Sequence, residues 1–194
     1  RARFRTVGGA IEEPLPQAHH THVLTHPRTL FMACPNSVSG QVSIHYRLKG
    51  PTDTISSGCA SAGTAFGLAA DLIRRDAADV LLVGGTEAPL HPTIFRNLCA
   101  AGALSTRQGG GCPAPFDKER DGPVLAEGAG VVVFEDLGHA LRRDAKIYAE
   151  FKGWGSTTDA FSLTRTEPNG TQGIRASRAA LTQAAVAADE VDYI

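Results

Sequence analysis

The sequence predicts an α/β fold with a largely parallel central sheet. Two observations predict it. First, DVLLVGGTE (79–87) and EGAGVVVFED (127–136) are continuous apolar runs bounded by glycine, as strands covered on both faces are. Second, these runs alternate with helical stretches, above all ASAGTAFGLAADLIRRD (60–76). That helix is apolar on nearly every face until its last turn, which predicts burial.

Residues 1–36 are rich in proline and histidine and carry no assignable period. GQVSIHYRLKG (40–50) reads as a helix ending at Gly50, with Pro51 as a stop signal. TDTISS (52–57) reads as a short strand running into the helix at 60–76, where Arg74 and Arg75 sit favourably at the negative end of the helix dipole. After the strand at 79–87, PTIFRNLCAAGAL (92–104) is a helix and STRQGGGCPAPFDKERDG (105–122) is a loop full of turn formers. The strand at 127–136 leads into a short helix, LGHALRRD. KIYAEFKGWGS (146–156) alternates like a strand with one wet face, GIRASRAALTQAAVAA (173–188) is an amphipathic helix, and VDYI begins one more strand. The pattern restarts near residue 144, which divides the chain at 1–143 and 144–194.

Composition excludes several classes. Of the 194 residues 42% are hydrophobic and 20% charged, ordinary for a soluble globular protein. A net charge of −1 gives no electrostatic case for nucleic acid or an anionic membrane. No apolar run reaches the length of about 18 residues that a membrane span needs. The opening RARFRTVGGA is basic and broken by glycines, unlike a signal peptide. The first residue is not methionine and the last run is apolar, so both ends read as cut from a longer protein. Cys34, Cys59, Cys99 and Cys112 have no CxxC spacing and read as reduced thiols in a cytosolic protein.

Cys59 stands at a strand–helix elbow, TISSGCASAG (54–63). The first turn of a helix has unpaired N–H groups and roughly half a positive elementary charge. A thiolate there is stabilised, and the same N–H groups can hold an oxyanion when a thioester is attacked. Gly58, Ala60 and Ser61 are small enough to admit an acyl group. The competing reading is a buried structural thiol, since free cysteine is among the most buried residue types. Cys99 reads as core on an apolar helix face, and Cys112 lies in a Gly/Pro loop. HHTHVLTH (19–26) packs four histidines into eight residues, but no cysteine or acidic residue joins them and Pro27 follows. DKERDG (117–122) reads as salt-bridged turn residues. GGTE and GGG lack phosphate-loop spacing, so no nucleotide, metal or other cofactor is expected.

Several stretches together resemble the β-ketoacyl-acyl-carrier-protein synthases, and among them the elongating type. They are GCASAG at Cys59, DVLLVGGTEAP (79–89), ALSTR (103–107), PFDKERDGPVLAEGAGVVVFED (115–136) and AKIYAEFKGWGSTTDAF (145–161), in order along nearly the whole chain. The resemblance implies a thiolase-like αβαβα sandwich, here incomplete: most of a first half and the start of a second. It implies an acyltransferase, cytoplasmic and normally a homodimer. In this chemistry an acyl chain moves from acyl carrier protein to Cys59, and decarboxylated malonyl-carrier protein then attacks the thioester. By the same resemblance Asp159 and Thr164, in DAFSLT, lie on a loop that gates carrier-bound substrate, and the Cys59 N–H supplies half the oxyanion hole. Two histidines and a lysine complete the family's catalytic set downstream of Ile194, so none of the seven histidines present takes their role and the chain alone is expected to be inactive. The sequence departs from the family at Ser56–Ser57–Gly58, at Pro123 and at Ala126. Polyketide ketosynthases and non-catalytic partner subunits of ketosynthase heterodimers remain as alternatives.

Overall fold

A computed structural model of the chain describes residue 31, residues 34–107 and residues 113–194. The histidine-rich stretch 19–26 and Cys112 lie outside the described residues. The elements run α1 (Ser37–Tyr46), α2 (Ser61–Arg74), β1 (Val80–Glu87), α3 (Pro92–Ala100), β2 (Gly128–Glu135), α4 (Leu137–Arg142), α5 (Thr171–Ala184) and a 3-10 turn (Ala188–Glu190). No helix among the described residues is long and apolar enough to cross a membrane.

β1 and β2 pair antiparallel, from Val80 opposite Glu135 to Glu87 opposite Gly128. The expectation of a largely parallel sheet is thus corrected for the described residues, whose one sheet has these two strands. Continuous apolar runs report how a strand is covered, not which way its neighbour runs. Coverage is also one-sided. Val83 is buried, whereas Val131 and Val133 on β2 are 64% and 56% exposed.

α2 packs on this ribbon, and Gly67, Ala69 and Ala70 are its buried residues. Among the described residues burial of this helix is full only at these three small residues and partial along most of the rest, with Leu68 exposed, so the all-round burial expected is not seen. Phe66 of α2, Phe134 of β2 and Phe151 form an aromatic hub, with centroids 5.2 Å apart for Phe134–Phe151 and 5.3 Å for Phe66–Phe134. Such tilted ring pairs add to the stabilisation from burial alone.

The stretch 146–156 is no strand. Side chains take some of its backbone groups: Trp154 N–H donates to Gln183 Oε1 (2.8 Å), and the Lys152 carbonyl accepts from Arg74 Nη2 (2.9 Å). TDTISS likewise forms only an isolated bridge, Ser57 to Cys59, and VDYI forms no strand.

Each of the five helices given above closes with the same paired bonds. In α2, for example, Asp76 N–H reaches the Ile73 carbonyl and Ala77 N–H reaches the Leu72 carbonyl, both at 2.9 Å. The pivot is left-handed each time, at Arg47, Asp76, Gly102, Asp144 and Ala185. Only one is glycine, the usual residue there. Hence α1 ends at Tyr46 rather than at Gly50; α3, whose pivot is the glycine, ends at Ala100 rather than at 104.

At the β2–α4 junction, Glu135 accepts from Arg143 through Nε and Nη2, both at 2.6 Å, and lies against His139 Nδ1. Arg143 first and His139 second hold its carboxyl down at about 2.

Candidate active site

The turn before α2 is built locally. Gly58 has φ +64°, a conformation that costs a side-chain-bearing residue roughly 1–2 kcal/mol. Ser61 then closes the turn: its Oγ donates to the Gly58 carbonyl (2.7 Å) and accepts from Ser57 N–H (2.9 Å). Thr64 N–H to the Ala60 carbonyl (2.9 Å) is a first bond of the helix. Cys59 is therefore exposed at the N-terminal end of α2, beside the unpaired N–H groups of its first turn. The glycine before it serves backbone conformation as well as small size.

Cys59 opens into a cleft of about 490 Å³. Gly63, Thr64 and Phe66 of α2 line the near wall. The far wall is Phe151 and Gly153–Thr157, with Ala176 of α5 behind. Glycines let this wall sit close to helices on both sides. A Cβ on Gly67 would overlap the Trp154 ring; one on Gly153 would come 2.9 Å from Ala184 N. Thr157 Oγ donates to the Gln172 carbonyl (2.7 Å), tying the end of the wall to α5.

The three residues singled out in the sequence are not brought together. Cys59 lines the cleft, whereas Asp159 and Thr164 are not among its lining residues. Asp159 Oδ2 accepts Glu167 N–H (3.0 Å), and Thr164 N–H donates to Ser162 Oγ (3.3 Å). Glu167 in turn accepts from Asn169 and Thr171 N–H at the start of α5, and those two backbone donors hold its carboxyl below the usual range. Asp159 therefore closes a loop that Thr157 joins to the cleft wall. Sequence reasoning missed the far wall itself, Phe151 and Trp154 above all. The GWG triplet was its one signal, since glycines flanking an aromatic mark close backbone approach.

A second cleft of about 380 Å³ lies between α3, residues 104–107 and residues 123–125. Cys99, expected in the core, is exposed and lines it beside Phe95. Asp121 draws its rim together, accepting from Ser105 Oγ (2.8 Å) and Thr106 N–H (2.9 Å) and pairing with Arg107 (3.4 Å). Ser105 and Thr106, then Arg107, hold its carboxyl below the usual range. So ALSTR and RDG are two sides of one clamp, in line with the turn role read from DKERDG. Among the described residues no group of three His, Cys, Asp or Glu is placed to hold a metal ion.

Comparison with known proteins gives one answer. Residues 6–140 match the family profile described as beta-ketoacyl synthase, N-terminal domain, and residues 148–194 match its C-terminal domain. A 3-oxoacyl-[acyl-carrier-protein] synthase 2 of Rhizobium meliloti (strain 1021) is 41% identical over 162 residues, covering 82% of this chain and 38% of that protein. Among solved structures, a type II PKS ketosynthase in complex with its acyl-carrier protein and bound to the hexaketide superposes with a TM-score of 0.78 at 37% identity. It covers 81% of this chain and 40% of that one. A beta-ketoacyl synthase from Burkholderia phymatum STM815 gives 0.75 at 35%, covering 82% and 39%. The chain thus spans about two fifths of the length of the relatives it matches.

Proposed function

The chain belongs to the β-ketoacyl synthase family, and from that premise we propose that the protein is a 3-oxoacyl-carrier-protein synthase in which Cys59 carries the acyl chain. The observation behind this is the placement of Cys59, exposed at the start of α2 and open to a cleft. In the first step the Cys59 thiolate attacks the carbonyl of an acyl thioester on the carrier. The carrier's C–S bond breaks, and its thiol leaves with a proton. The Cys59 N–H donates to the oxyanion formed on the way. In the second step malonyl-carrier protein loses carbon dioxide, and the resulting carbanion attacks the Cys59 thioester. A carbon–carbon bond forms, the sulfur is released, and the product is a 3-oxoacyl-carrier protein two carbons longer.

In this reading residues 1–143 belong to a nucleophile-bearing half and residues 144–194 begin a second half. Asp159 and Thr164 bind substrate as part of a gating loop: Asp159 sets the loop's closure through Glu167, and Thr164, exposed at its tip, meets the carrier-bound chain. The working form is a cytoplasmic dimer served by an acyl carrier protein, with activity in the whole protein. The similarity to a type II PKS ketosynthase supports a second reading, in which the acyl chain is a polyketide.

The test is turnover. The intact synthase, given acyl- and malonyl-loaded carrier protein, releases carbon dioxide and 3-oxoacyl product, and Cys59→Ala yields no such product. Undiminished condensation by Cys59→Ala would overturn the proposal. Comparing saturated acyl with 3-oxoacyl starters then separates the fatty from the polyketide reading.

A further inference from the structure

We infer that Asp71, Arg74 and Trp154 form a latch that positions the far wall of the Cys59 cleft, and that they set the rate of acyl loading without touching the acyl group's reacting atoms. The inference rests on the reading of Cys59 as the acyl-carrying nucleophile.

Among the described residues the far wall pairs with no strand, and side chains tie it to the helices on both sides. On one side it is joined to α5, through Trp154 N–H to Gln183 and the close approach of Gly153 and Gly155. On the other side it meets α2, the helix that carries Cys59 at its start. That second attachment is a closed ring of contacts. The Trp154 indole fills the notch left by Gly67, and its Nε1–H donates to Asp71 Oδ2 (3.3 Å). Asp71 Oδ1 pairs with Arg74 Nη1 (3.2 Å). Arg74 Nη2 donates back to the carbonyls of Lys152 (2.9 Å) and Phe151 (3.4 Å). Asp71 lies ten residues beyond Ser61, about 15 Å along the helix. Neither Asp71 nor Arg74 lines the cleft, whereas Phe151, Gly153, Trp154 and Gly155 all do. Loosening the ring therefore frees the wall, together with α5, to shift against the helix that presents the sulfur. Width between nucleophile and wall is what an acyl thioester must fit, and displacements near 1 Å are costly to bond-forming geometry.

The test compares two reactions of Cys59 in the intact synthase: loading from acyl-carrier protein, and alkylation by iodoacetamide, which needs only an accessible sulfur. In Asp71→Ala and Trp154→Ala, loading falls on the order of tenfold, while alkylation changes by less than about twofold. Asp71→Asn, which keeps an acceptor for the indole, recovers part of the loss, as a positioning role requires. Loading at the wild-type rate in both alanine variants would overturn the latch. An equal fall in loading and alkylation would also overturn it, by showing general loss of structure. Wild-type protein that is alkylated but never loaded would strike at the Cys59 reading itself and take the latch with it.

Discussion

The two walls of the Cys59 cleft are made in different ways. The near wall is local: Gly58, Cys59 and Ser61 build an elbow within a few residues, whose longest reach is the seven positions from Ser57 Oγ to Thr64 Oγ1. The far wall is non-local. Trp154 reaches α2 across 83 positions to Asp71 and α5 across 29 to Gln183. The elbow is fixed by backbone conformation and one serine, the wall by packing of glycine and aromatic against helices. The presentation of the Cys59 sulfur should therefore survive damage to the wall, while the shape of the cleft should not.

The largest contrast is at the sulfur. Cys59→Ser leaves both walls standing, and acyl loading of the intact synthase is expected to fall at least about a thousandfold, measured by single-turnover transfer from a labelled thioester. Next comes the notch. Gly67→Ala drives a methyl into the Trp154 ring and should cost about 1–3 kcal/mol in denaturant unfolding, the range for overpacking. Gly58→Ala attacks the other wall. A Cβ there meets nothing within 4 Å, so its cost is conformational alone, about 1–2 kcal/mol. If Gly58→Ala proved the more damaging of the two, the division into a tolerant elbow and a packed wall would fail.

Further from the cleft the effects shrink. Ala185 ends α5 at φ +52°, and Ala185→Gly should stabilise by about 0.5–1 kcal/mol in the same unfolding measurement. Glu135 anchors the end of β2 beside Phe134 of the aromatic hub, and its folded carboxyl lies at about 2 against an ordinary 4.5. A depressed carboxyl gives stability that is fully present above its unfolded value and lost as pH falls. Between about 4.5 and 2, wild-type Tm should therefore drop more steeply than that of Glu135→Gln. Parallel pH profiles would remove the ion pair from the account.

Legibility in the sequence follows the same division. Both strands, α2 and the elbow were readable because each is announced by neighbouring residues: an apolar run bounded by glycine, or a small-residue approach to a cysteine. Helix ends were misplaced because Arg47, Asp76, Asp144 and Ala185 take a left-handed conformation that sequence reading assigns to glycine. The strand direction and the wall at 151–157 were not readable, since both depend on what packs alongside. KIYAEFKGWGS alternates as a strand does, yet Arg74 and Gln183 side chains hold its backbone. Family resemblance supplied Asp159 and Thr164, and only the structure could show that Asp159 is bonded to Glu167 rather than turned into the cleft's lining.

The most direct measurement is to incubate the intact synthase with a labelled acyl thioester, quench within one turnover and map the adduct by mass spectrometry. The account predicts a single acyl group on the Cys59 sulfur, absent from Cys59→Ala. A label on Cys99, whose thiol is also exposed on a cleft, or an undiminished label in Cys59→Ala, would contradict it.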